Sequence, residues 1–152
     1  MNFIYLITPL FLFLSCSNRT DESINIESNS KTEKTITMEQ SDLTNDKMKS
    51  YSFLVGMYYD SYFPDFLVDK IKSILVELCA DIENRTPNNL DELYELTHKS
   101  TNEINDLEDE FYANESEIET VAREVIAEDF EFISIAYGFE ADIEELIATR
   151  DW

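Results

Sequence analysis

Three stretches of this chain repeat apolar residues at steps of three and four, the spacing that lines one face of an α-helix. In the first, Leu67, Ile71, Ile74, Leu75, Leu78 and Ile82 form the stripe; Pro64 suits its opening turn, and Asn84-Arg85-Thr86-Pro87 stops it. In the second, Asn89 can cap a helix whose inner face is Leu90, Leu93, Tyr94, Thr97, Thr101, Ile104, Leu107 and Phe111, running to Ala113-Asn114. Ser116 with Glu119 three residues on makes a capping box for the third, which carries Ile118, Val121, Ala122, Val125, Ile126, Phe130, Ile133 and Tyr137 and ends at Gly138. A short fourth helix, Ala141 to Ala148, packs Ile143, Leu146 and Ile147. The connections are a few residues long and no period-two run is long enough for a sheet. The expected fold is therefore all-α: a small bundle of three main helices plus a short C-terminal one.

The N-terminus has a different pattern. An apolar run from Phe3 to Leu14 ends at Ser15-Cys16 and gives way to Ser17-Asn18-Arg19. It has the length of a signal-peptide core and is short of the roughly 20 apolar residues a spanning helix needs. Leu12-Phe13-Leu14-Ser15-Cys16 resembles the bacterial lipobox, with small Ser15 before the cysteine that is acylated. Phe13 stands where that motif usually has Leu, and Met1-Asn2 lacks its usual positive charge. On this reading residues 1–15 are a signal peptide. Cys16 becomes the lipidated first residue, held to the membrane by acyl chains (palmitate among them) worth about 0.8 kcal/mol per buried CH₂. Ser17 rather than Asp after the cysteine points to the outer membrane of a bacterial cell envelope. The alternative is a start at Met48, which leaves a cytoplasmic protein.

Residues 16–46 are mostly Ser, Thr, Asn, Glu and Lys, with too little apolar surface to offset the entropy of ordering. They read as a flexible, disordered tether with a reach of about 30 Å. Residues 47–152 then form one acidic helical domain. Its single cysteine, Cys79, lies inside an apolar run, has no disulfide partner once Cys16 is acylated, and reads as a buried, inert thiol.

Seven of the chain's Phe and Tyr residues lie between Tyr51 and Phe66. Most of these rings should lid the bundle and the remainder should edge a groove. Charge narrows the function further. Residues 51–152 carry 26 Asp and Glu against 6 Lys and Arg, a formal charge of −20. Nucleic acid is thereby excluded as a partner, since phosphate binding needs a basic face. A cationic protein is the natural counterpart. Two acidic stretches, Asp106 to Glu110 and Glu115 to Glu119, flank one helix–helix turn, so their fields add.

Candidate chemistry is thin. His98 is the only histidine, so metal sites needing two from one chain are excluded. Glu95 and His98 have the spacing of a di-iron ligand pair, but the second pair is missing. No Gly-x-Ser-x-Gly elbow accompanies His98, and no calcium loop has its turn glycine. His98 then reads as a hydrogen-bonding residue, with Glu95 or Asn102 as partner. No cofactor or metal is implied.

Gly56-Met57-Tyr58, Tyr62-Phe63-Pro64, Phe66-Leu67-Val68-Asp69-Lys70-Ile71-Lys72, Leu96-Thr97-His98, Ile104-Asn105-Asp106-Leu107, Ala122-Arg123-Glu124, Ala136-Tyr137-Gly138-Phe139 and Arg150-Asp151-Trp152 together resemble a family of small acidic bacterial proteins known only as a domain of unknown function. The resemblance covers Met48 to Trp152, about two-thirds of the chain, and implies no activity.

The expected function is that of a membrane-anchored lipoprotein whose acidic helical domain binds or inhibits a cationic protein, without enzymatic activity. Tyr59, Asp60, His98, Asn105 and Asp106 are the candidate binding surface, and Cys16 is the lipid site. The alternatives are an assembly subunit of an envelope complex, with the aromatic segment as its contact, and an enzyme centred on His98.

Overall fold

A computed structural model describes residues 38–152. The segment read as a signal peptide, Cys16 and most of the segment read as a tether lie outside the described residues. Among the described residues there is no strand, and the chain runs through α1 (Asp46–Lys49), α2 (Val55–Tyr58), α3 (Asp65–Arg85), α4 (Leu90–Asn105), α5 (Glu108–Ala113), α6 (Thr120–Ala136) and α7 (Ile143–Leu146). No described helix is long and apolar enough to cross a membrane.

The all-α bundle follows from the three stripes. α3 packs on α4, while α6 receives α2 and α7. Leu67, Ile71, Leu75 and Leu78 from α3 meet Leu93, Ile104, Phe111, Ile126, Phe130 and Ile133 in one core, every one of them excluded from solvent. Cys79 is free and buried within it, and burial pushes its thiol up to about 12, so it is protonated and unreactive at neutral pH.

Helix ends show where the sequence pattern was ambiguous. Asn89 caps α4 as expected, accepting from the Glu92 amide at 2.9 Å while Glu92 accepts in return from the Asn88 amide at 2.8 Å. Gly138, at φ +89°, closes α6 with the paired bonds Phe139 N–H to Ser134 O and Gly138 N–H to Ile135 O. Pro64 is the N-cap of α3 rather than its first helical residue, with an extended ψ of 124°.

Two expectations need correction. The second stripe is two helices, α4 and α5, because the chain tightens at Asp106-Leu107, where the Leu107 amide donates back only three residues to Ile104 O. The break moves Glu108, Asp109 and Glu110 from a helix interior into a first turn, where the macrodipole favours carboxylates. Nor does Ser116 cap α6. That helix starts later, with Glu119 as a cap that makes no side-chain bond. The Ser116 amide is instead committed to Phe111 O, and the Glu115 amide to Tyr112 O, closing α5 in the same paired-bond turn that ends α6. Here Glu115, at φ +58°, occupies the left-handed position that normally takes glycine. The Ser116 hydroxyl is buried without a partner among the described residues.

The segment before α3 is tied down by two carboxylates. Residues 40–46, assigned by composition to the end of the tether, fold onto the domain. Leu43 and Met48 are buried, and the Gln40 side-chain amide donates to Met48 O at 2.7 Å and Tyr51 O at 2.8 Å. Glu83 at the end of α3 accepts from the Thr44 amide at 2.7 Å, the Asn45 amide at 2.9 Å and the Tyr137 hydroxyl at 2.8 Å. Asp129 on α6, 3 % exposed, accepts from the Tyr51 hydroxyl at 2.8 Å and the Leu54 amide at 2.9 Å. Burial raises the Asp129 carboxyl to about 6, against the opposing pull of those two donors and with help from nearby Glu128. The Leu54 backbone it holds is left-handed, at φ +55°. One residue pair further on, α2 presses on α6 so closely that a Cβ on Gly56 would fall 2.7 Å from Val125 Cγ2.

Candidate functional site

The helix break and the glutamate turn create an acidic edge. α5 presents Glu108, Asp109 and Tyr112, and the connection to α6 returns Glu117 and Ile118 against them, enclosing a cleft of about 280 Å³. Tyr112 is 75 % exposed at its wall, held outward on a helix whose Phe111 is fully buried. Partial burial, then repulsion from Asp151 and Asp109, raises the Glu108 carboxyl. The aromatic segment reaches the same edge through Tyr62, whose phenol is raised by desolvation and then by the Glu119 and Glu117 carboxylates.

What distinguishes this edge is the lack of counter-charge. Among the described residues, Lys70 pairs with Glu110, Lys99 gathers Asp81, Glu103 and Glu77, Lys49 pairs with Asp46 and Arg150 with Glu144. None of these cations reaches Glu108, Asp109, Glu117 or Glu119. Carboxylates crowded around an exposed phenol ring make an environment for an ammonium or guanidinium group, which gains from both the charge and the ring face.

The residues singled out by sequence fall in three places. Tyr59 is 88 % exposed beside a groove of about 330 Å³ between Tyr51, Phe53, Val55, Tyr58 and Lys72. Tyr58 is fixed there by donating to Asp69 Oδ1 at 2.7 Å. Asp60 accepts from the Tyr62 amide at 2.9 Å and shapes the turn into α3. His98 and Asn105 share one face of α4 and are brought together on the C-terminal segment. His98 Nε2 donates to Glu145 O at 2.7 Å, its ring stacked on Tyr94, and Asn105 Nδ2 donates to Thr149 O at 2.9 Å. The histidine's partner is therefore a main-chain carbonyl across the bundle rather than Glu95 or Asn102. Asp106 is exposed at the α4–α5 break. The aromatic rings divide as expected: Phe53 and Phe63 are buried, whereas Tyr59 and Phe66 face solvent.

Sequence reading located the acidic stretches but missed Tyr112 and Tyr62 as their aromatic partners. Tyr112 lies four residues after Glu108, one helical turn, which is the signal that could have found it. Among the described residues no three His, Cys, Asp or Glu side chains converge to hold a metal ion.

Fold and edge together define an acidic, all-helical domain with a charged aromatic rim. The chain belongs to DUF5713, a family of unknown function, which matches residues 47–152. No curated protein and no solved structure matches it.

Proposed function

We propose that this domain is a binding module for a cationic protein, carried by a lipid anchor at Cys16 on the bacterial cell envelope. The acidic edge supports the partner class: Glu108, Asp109 and Glu117 converge on exposed Tyr112 and are in none of the ion pairs of the described residues. Long-range attraction from a domain of this charge speeds encounter with a basic surface, and the rim supplies the aromatic contact that fixes it.

The test uses a twelve-residue peptide alternating Arg and Ala, titrated calorimetrically against the full chain at about 20 and 300 mM salt. Affinity falls at least tenfold at the higher salt. Tyr112→Ala and the pair Glu108→Gln with Glu117→Gln weaken binding, while Glu131→Gln, on an exposed part of α6, does not. Binding indifferent to salt, or weakened equally by all these variants, would count against the reading. The anchor is tested by labelling with a clickable fatty acid: label is expected in wild type and lost in Cys16→Ser.

A second reading, an assembly subunit of an envelope complex, draws on the groove beside Tyr59, where Val55 is also exposed. Tyr59→Ala leaving a native complex intact would dispose of it.

A further inference from the structure

Glu83 stands in a cleft of about 440 Å³ built from elements other than the acidic edge, with Ile82, Pro87, Tyr137 and Phe139 supplying apolar wall. That volume lies in the range of small-ligand pockets. Two helices end there. α3 stops at Arg85 and α6 at Ala136, so both negative poles are directed to the same place. The end of α3 is also short of donors: the helical partner of the Glu83 carbonyl would be residue 87, a proline with no N–H, and that of Asn84 would be the Asn88 amide, which donates to Glu92 instead.

The Glu83 side chain adds a full charge. Burial raises its carboxyl, but donation from the Thr44 and Asn45 amides and the Tyr137 hydroxyl outweighs this and holds it below the ordinary value, so it is ionised at neutral pH. Three donors occupy it, two on Oε1 and one on Oε2, with the Thr44 hydroxyl beside it as a further donor, so a cation would be drawn by its charge rather than by a vacant acceptor. No lysine or arginine of the described residues pairs with it. At the rim, Thr86 is held at φ +47°, a left-handed conformation that a β-branched residue rarely adopts. Such strain persists where the surroundings over-determine it, and ligand clamps are among those places.

The geometry points to a site for an organic cation: an ammonium or guanidinium group set against Glu83 and the two helix C-termini, with its apolar stem along Phe139 and Pro87. The cation can come from a free alkylamine or from an Arg or Lys side chain of a protein. The site does not depend on the acidic edge.

Amide shifts of the full chain, followed by NMR during titration with butylguanidinium and with 1-pentanol as neutral counterpart, test this. Saturable shifts at Thr44, Asn45 and Phe139 are expected at millimolar butylguanidinium and absent with pentanol. Glu83→Gln should weaken binding at least tenfold. Since that variant also disturbs the bonds to Thr44 and Asn45, Phe139→Ala carries the test independently: it removes a wall but no hydrogen bond, and a loss of at least fivefold is expected. A pentapeptide with a central Arg then separates the sources. Shifts at the same amides assign the site to a protein side chain; their absence, with butylguanidinium still bound, assigns it to a free cation. An equal response to pentanol, shifts confined to residues 108–118, or unchanged affinity in Phe139→Ala would overturn the proposal.

Discussion

Carboxylates serve opposite ends in two regions of this domain. Where the chain enters the bundle, Asp129 and Glu83 are drawn inward and surrounded by donors: two for Asp129, three for Glu83. At the α5–α6 turn, Glu108, Asp109 and Glu117 crowd one another around Tyr112 and take no part in the ion pairs of the described residues. The inward carboxylates organise backbone that makes no regular helix. The outward ones repel one another in the free domain, which on the proposed reading is what a cationic partner would relieve. A surplus of acidic residues thus hides two populations that composition cannot separate.

The largest expected effect breaks the inward set. Asp129→Ala strands the buried Leu54 amide and the Tyr51 hydroxyl, and should cost about 3–4 kcal/mol in denaturant unfolding. Asp129→Asn can still accept from Leu54 and donate to Tyr51, so it should be no less stable than wild type at pH 7. The same pair sharpens the contrast through pH. Because the folded Asp129 carboxyl is raised to about 6 from an unfolded value of 3.8, its charged form is the one that folding disfavours. Its contribution is most favourable below about pH 4 and is lost as pH rises through 6. Relative to Asp129→Asn, wild type should lose roughly 3 kcal/mol across that window, read from unfolding curves at successive pH values.

Next in size is the contact that seats the same segment. Gly56→Ala should cost about 2 kcal/mol, and less than half that in a Val125→Ala background, because the clash is with one side chain. At the acidic turn the signs reverse. Glu115→Gly should add about 1 kcal/mol by relieving a left-handed glutamate. Smallest of all, Glu108→Gln should raise stability by a few tenths of a kcal/mol at pH 7 while weakening the Arg–Ala peptide, a trade that the inward carboxylates would never show.

Much of this fold was legible because burial enforces period: the three stripes, the Asn89 cap and the Gly138 stop all depend on local chemistry that the sequence displays directly. The misread boundaries have a common cause. Ser116 and Glu119 satisfy a capping-box pattern, but the Ser116 amide is taken by Phe111 O, a choice made by the closing of α5 and invisible three residues downstream. Ser116→Ala should accordingly change stability by less than about 0.5 kcal/mol, where a true cap would lose about 1. The break at Asp106-Leu107 preserves the apolar spacing on either side, so periodicity alone carries straight through it. Spacing does separate Asp129 from its neighbour Glu128, since Asp129 lies three residues after Ile126 and four before Ile133 on the inner stripe. What spacing leaves out is its partners, because only the return of Tyr51 and Leu54 to α6 supplies the donors that a carboxylate needs there. The acidic edge was half visible, as charge without its tyrosines.

The latch on the C-terminal segment has a consequence for which positions are free to vary. His98 and Asn105 grip the carbonyl oxygens of residues 145 and 149, and every amino acid supplies that same oxygen. The grip is blind to the side chains it holds down. In a saturation mutagenesis screen read by folded yield, residues 145 and 149 should accept most substitutions apart from proline, whereas positions 98 and 105 should accept few. The tail can therefore diversify among descendants of this sequence without coming loose, provided the two hands on α4 are kept.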